Sequence, residues 1–98
     1  MINGYYHMIV VDGCPFCDNA KELAKDSGVL YFVEDATDRE EWLNEAKEQF
    51  KHGTVPIINW VGLTPSYEIE VKLVGGFTEF KERLKIEKEN TKEEQEQE

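Results

Sequence analysis

The stretch YHMIVVDGCPFCDNAKELAKDSG, residues 6–28, decides the fold. Its first half, Tyr6-His7-Met8-Ile9-Val10-Val11, is short, apolar and rich in β-branched residues, which suits a buried strand. Four residues later Pro15 stands where a first helical residue tolerates it, because that position needs no N–H. Phe16, Ala20, Leu23 and Ala24 then recur at helical spacing, and Gly28 is a C′ stop. A strand thus passes directly into a helix, and Cys14-Pro15-Phe16-Cys17 sits on the junction.

Working outward, residues 29–33 read as a second strand. Thr37 followed by Glu40 has the capping-box spacing and opens a helix whose inner face is Leu43, Ala46 and Phe50, ending near Gly53. Residues 57–61 form a third strand, and Gly62-Leu63-Thr64-Pro65-Ser66 is turn-rich. Tyr67, Ile69, Val71 and Leu73 alternate with Glu68, Glu70 and Lys72, the pattern of a half-exposed fourth strand. Gly75-Gly76 breaks the chain before a last helix bearing Phe77, Phe80 and Leu84. The order β-α-β-α-β-β-α predicts an α/β domain. Helix-linked strands imply parallel pairing and the closing hairpin is antiparallel, giving a four-stranded mixed sheet flanked by three helices.

Ninety-eight residues make one small domain. Hydrophobic residues at 40% and charged residues at 33% have the balance of a soluble globular chain. A net charge of -10 repels phosphate backbones, so nucleic acid is not an expected partner. No apolar run reaches membrane-spanning length, and no basic region precedes the first apolar stretch, so neither a membrane anchor nor a signal peptide is expected. Two cysteines exclude a disulfide-stapled secreted scaffold. The expectation is a cytoplasmic monomer. The domain boundary falls at residue 86, because residues 87–98 continue the polar run KIEKENTKEEQEQE with nothing apolar to bury; this acidic tail is expected to be disordered or a frayed helix end.

Cys14 and Cys17 carry the chemistry. Two intervening residues at a helix start bring both sulfurs within disulfide reach. The unpaired N–H groups and positive dipole end of the helix favour a thiolate at Cys14. The dipole alone gives about 0.3–1 kcal/mol, less than one pKa unit, so direct N–H···S⁻ bonds must supply part of any larger shift. Cys17, one turn in, should be more buried and more thiol-like, which makes Cys14 the attacking and Cys17 the resolving sulfur. A zinc site needs four ligands, and His7 and His52 lack the usual paired spacing, so no metal is expected. Trp42 and Trp60 read as packing residues, and Tyr5 and Tyr6 as cover for a sheet edge.

Cys14-Pro15-Phe16-Cys17, Thr54-Val55-Pro56 and Gly75-Gly76-Phe77-Thr78, in this order and spacing, resemble a glutaredoxin from about Tyr5 to Leu84. Cys17-Asp18-Asn19-Ala20-Lys21 and the Gly75-Gly76-Phe77 helix start are also similar to the small glutaredoxins of bacteriophages. The resemblance implies a thioredoxin fold with a cis peptide bond before Pro56. That bond would leave the Val55 N–H and C=O facing the cysteines, where a partner's extended backbone can pair with them. It implies glutathione as reductant and co-substrate, held by Pro15, Phe16, Thr54, Val55, Pro56, Gly75, Gly76, Phe77 and Thr78. The N–H groups of Phe77 and Thr78 would receive its γ-glutamyl carboxylate; read on its own, Thr78 is a helix cap.

Two departures stand out. Phe16 replaces the more usual Tyr. Val11 occupies a position where glutaredoxins commonly carry Lys, and Asp12 adds negative charge beside the thiol. Arg39, Lys47 and Lys51 are the candidates for a replacement cation. The resemblance therefore implies a dithiol thiol–disulfide oxidoreductase acting on protein disulfides or glutathione mixed disulfides, with ribonucleotide reductase a partner by the phage likeness. The alternative is a carrier in which two chains and glutathione hold a [2Fe–2S] cluster through Cys14; Pro15 argues against it, since cluster-binding glutaredoxins often have Gly there.

Overall fold

Seven elements follow one another: β1 (Gly4–Val10), α1 (Pro15–Ser27), β2 (Tyr31–Asp35), α2 (Glu40–Gln49), β3 (Ile57–Leu63), β4 (Ile69–Gly75) and α3 (Phe77–Glu96). The structure, a computed structural model, describes residues 4–96, with side chains described within 4–86. The strands form one sheet in the order β2-β1-β3-β4. β1 and β2 are parallel, whereas β1–β3 and β3–β4 are antiparallel. This is the thioredoxin-fold arrangement of a four-stranded mixed sheet with three helices.

Alternation along β1 divides the core into two layers. Tyr6, Met8 and Val10 join Ile58 on one face, under Ala20 and Ala24 of α1 and Phe80 and Leu84 of α3. Ile9 and Ile57 face the other way, onto Ala36 and onto Ala46 of α2, with Trp42, Leu43 and Phe50 around them. Val11 packs against both layers. Among the described residues, no helix is long and apolar enough to cross a membrane.

Several elements differ from the sequence expectation for local reasons. β2 begins at Tyr31 rather than 29, because Gly28 leaves α1 with φ 72° and the chain has yet to straighten. The capping box does not form. Arg39 is the residue before α2 and its side chain makes no cap bond. The Thr37 hydroxyl instead accepts the Asp12 N–H at 2.8 Å, tying the turn after β2 to the cysteine loop. Tyr67, expected in the fourth strand, lies in the β3–β4 loop with φ 65°, and Thr64 closes that loop by exchanging bonds with Glu68. Tyr5 and Tyr6 do not cover an edge, since β1 is an inner strand; Tyr6 is buried against Trp60 and Phe80, and its hydroxyl accepts from Arg83 at 2.9 Å. The α3 backbone continues as helix to Glu96.

Candidate functional site

Cys14 is the residue that hands β1 over to α1. Asp12 and Gly13 make the turn, with Gly13 at φ 70°, a conformation that favours glycine. Cys14 is extended (φ -111°, ψ 102°) and occupies the N-cap of α1, with Pro15 directly after it. Its Sγ accepts the Cys17 N–H at 3.1 Å. The sulfur therefore takes the place that a serine or aspartate oxygen usually fills at a helix start. Cys14 and Cys17 are joined by a disulfide across a Cα–Cα distance of 5.2 Å. Cys14 keeps 9% of its surface exposed and Cys17 none. A reagent from solvent thus reaches Cys14 and not Cys17.

The peptide bond between Val55 and Pro56 is cis. The Val55 carbonyl oxygen lies 3.9 Å from the Cys14 sulfur. Beside it a hollow of about 250 Å³ is lined by Phe16, His52, Thr54, Val55, Pro56, Gly76, Phe77, Thr78 and Glu79. Its floor is the start of α3, whose first N–H groups have no partner within the helix. Thr78 is the second residue of α3 rather than its cap, a correction to the capping reading; the capping position falls to Gly76. Phe16, 58% exposed, stands 6.2 Å from Phe77 across the hollow. Gly75 has φ 128°, and a Cβ there would lie 2.9 Å from Glu79. A larger hollow of about 640 Å³ between β4 and α3 includes neither cysteine in its lining.

Most residues singled out from the sequence converge here. Pro15, exposed at the helix start beside the disulfide, and Gly75, the last residue of β4, do not line the hollow. Nor do the candidate cations. Arg39 is turned to Glu34 at 3.4 Å and over the Trp42 ring at 4.2 Å, and neither Lys47 nor Lys51 lines the hollow. His52 does, with Nε2 3.4 Å from the Thr54 hydroxyl. Its sequence signal was its place two residues before Thr54; only tertiary folding brings it to Gly76. Among the described residues, no group of three or more His, Cys, Asp or Glu is placed to hold a metal ion.

Comparison with known proteins agrees with this geometry. The glutaredoxin family model matches residues 5–62, which spans β1 through most of β3 and includes both cysteines and the cis proline. No curated protein and no solved structure matches the chain. A thioredoxin fold, a cysteine pair at a helix start and the family match agree: the chain belongs to the glutaredoxin family of thiol–disulfide oxidoreductases.

Proposed function

We propose that this protein is a dithiol glutaredoxin that reduces protein disulfides and glutathione mixed disulfides and is itself re-reduced by glutathione. The observation that carries this reading is the unequal exposure of the two sulfurs at the head of α1. In the reduced protein, the Cys17 N–H and the helix terminus stabilise charge on Cys14. That thiolate attacks a substrate disulfide, forming a Cys14–substrate disulfide and releasing one substrate thiolate. Cys17, deprotonated, then attacks Cys14 Sγ and releases the second substrate thiolate, closing the Cys14–Cys17 bond. Two glutathione molecules return the two electrons and leave as glutathione disulfide.

The substrate chain would lie extended against Val55, pairing with its exposed backbone while its sulfur meets Cys14. Glutathione would occupy the hollow between Phe16 and the head of α3. Its γ-glutamyl carboxylate would meet the Phe77 and Thr78 N–H groups. His52 is the replacement donor for the glycine carboxylate; as an imidazole it offers an N–H rather than a fixed positive charge. The compartment is reducing, as in cytoplasm, and the protein disulfide of ribonucleotide reductase is the partner that the phage likeness favours.

The test compares re-reduction of the Cys14–Cys17 bond by glutathione plus glutathione reductase with re-reduction by thioredoxin reductase. Fast turnover with glutathione and little with thioredoxin reductase is expected. The reverse pattern would overturn the glutathione assignment while leaving the dithiol chemistry intact. His52→Ala is expected to raise KM for glutathione with little change in kcat.

A further inference from the structure

We propose that β4 is a homotypic docking edge, to which a second copy of this chain adds antiparallel about a two-fold axis through Val71. Two four-stranded sheets would become one of eight strands. This stands apart from the redox reading and replaces the monomer expected from the sequence.

β4 pairs with β3 on one side and with nothing on the other among the described residues. An unpaired edge presents a row of backbone N–H and C=O groups, which is a template for another strand. Ile69, Val71 and Leu73 are 76%, 52% and 42% exposed, on the part of the sheet that α2 leaves uncovered. Val71 pairs with Val61, and Val61 with Tyr5, so this strip continues into the sheet as an apolar row.

The identity of the occupant comes from the order of side chains. The edge reads Ile69-Glu70-Val71-Lys72-Leu73. A two-fold axis at Val71 places Val71 against its own copy, Ile69 against Leu73, and Glu70 against Lys72. Every apolar residue then meets an apolar residue and each charge meets its opposite, and the two unlike pairs form twice. Within one copy Lys72 already lies 3.2 Å from Glu70. Pairing turns this couple into four charges that alternate in sign around the axis. The other free edge has no such property. On β2, an axis at Val33 would set Phe32 against Glu34 and Tyr31 against Asp35, leaving carboxylates facing rings.

Charge exchange tests the register. Sedimentation or light scattering on the full chain is expected to show wild-type protein passing from monomer to dimer between micromolar and millimolar concentration. Glu70→Lys alone and Lys72→Glu alone should each weaken dimerisation by about tenfold or more, since like charges then face across the axis. The double exchange Glu70→Lys/Lys72→Glu restores opposition and should restore the dimer. An equimolar mixture of the two single variants should form a heterodimer, because each supplies the charges that the other lacks. Net charge alone cannot mimic this pattern: the two single exchanges shift the total of -10 in opposite directions, yet both should lose the dimer. A wild-type chain that stays monomeric throughout would overturn the proposal. So would single variants that dimerise as well as wild type, or open polymers, which would mean that β4 takes β2 of the next copy.

Discussion

Position separates the two cysteines, which are chemically alike. The Cys14 sulfur caps a helix, its exposure is small but real, and its partner is fully buried. The adjacent glycines Gly75 and Gly76, of which Gly76 lines the hollow, differ in the same concrete way. Gly75 has φ 128° and no room for a Cβ beside Glu79, so Gly75→Ala is expected to destabilise the fold by about 1–3 kcal/mol, read as a shift in the urea midpoint. Gly76 has space: a Cβ there would meet His52 Nε2 at 3.5 Å, an ordinary contact. Gly76→Ala should stay within about 0.5 kcal/mol of wild type in stability but raise KM for glutathione, because it narrows the hollow. The cysteines, Pro56 and the glycines were legible in the sequence, since each is a residue type demanded by backbone or sulfur chemistry. His52 was not, because its role depends on how the end of α2 packs against Gly76. Asn59 was not either; it is buried at 1% exposure, and among the described residues its side-chain amide has no hydrogen-bond partner, beside an irregularity in the β3–β4 register.

Each element formed where its periodicity placed it, and most errors fell at the ends, where side chains had tertiary alternatives. The exception is β3, which follows a helix yet runs antiparallel to β2 and is not its neighbour, so helix linkage implied parallel pairing only for β1 and β2. Thr37 and Glu40 have capping spacing, yet the Thr37 hydroxyl is worth more as an acceptor for Asp12, which holds the cysteine loop against the turn after β2. The same turn acts on Asp35. Bonds from the Thr37 hydroxyl and then the Thr37 N–H hold its carboxyl below the ordinary 3.8, against a small opposing effect of burial. Because the folded value is the lower one, this contribution to stability is present above the ordinary carboxylate range and is lost as pH falls through the lowered value. Thr37→Val is expected to move the Asp35 carboxyl back up toward its ordinary value, followed by side-chain carbonyl NMR during an acid titration. An unchanged titration would mean that the backbone bond alone sets it. The alternation in the fourth strand was read correctly as a strand, but not that its apolar face would stay uncovered. Sequence gives the period of a strand and not the reach of α2 across the sheet.

At the scale of the whole molecule, charge opposes the glutathione proposed as co-substrate. The chain carries -10, glutathione is a net anion, and among the described residues no lysine or arginine lines the hollow. The Val11 side chain packs against both core layers and brings no charge. Exposed charges are screened over about 8 Å at physiological ionic strength but over about 30 Å at 0.01 M salt. The rate with glutathione is therefore expected to rise as salt increases from low to physiological, and a fall would contradict this charge argument. The most direct test of the central claim, that Cys14 attacks and Cys17 resolves, is the mass of each single-cysteine variant after incubation with glutathione disulfide. Cys17→Ser is expected to gain one glutathione on Cys14 and to keep activity on glutathione adducts, while Cys14→Ser gains none and loses all activity. An adduct on Cys17 in the Cys14→Ser protein, or none on either, would contradict the account.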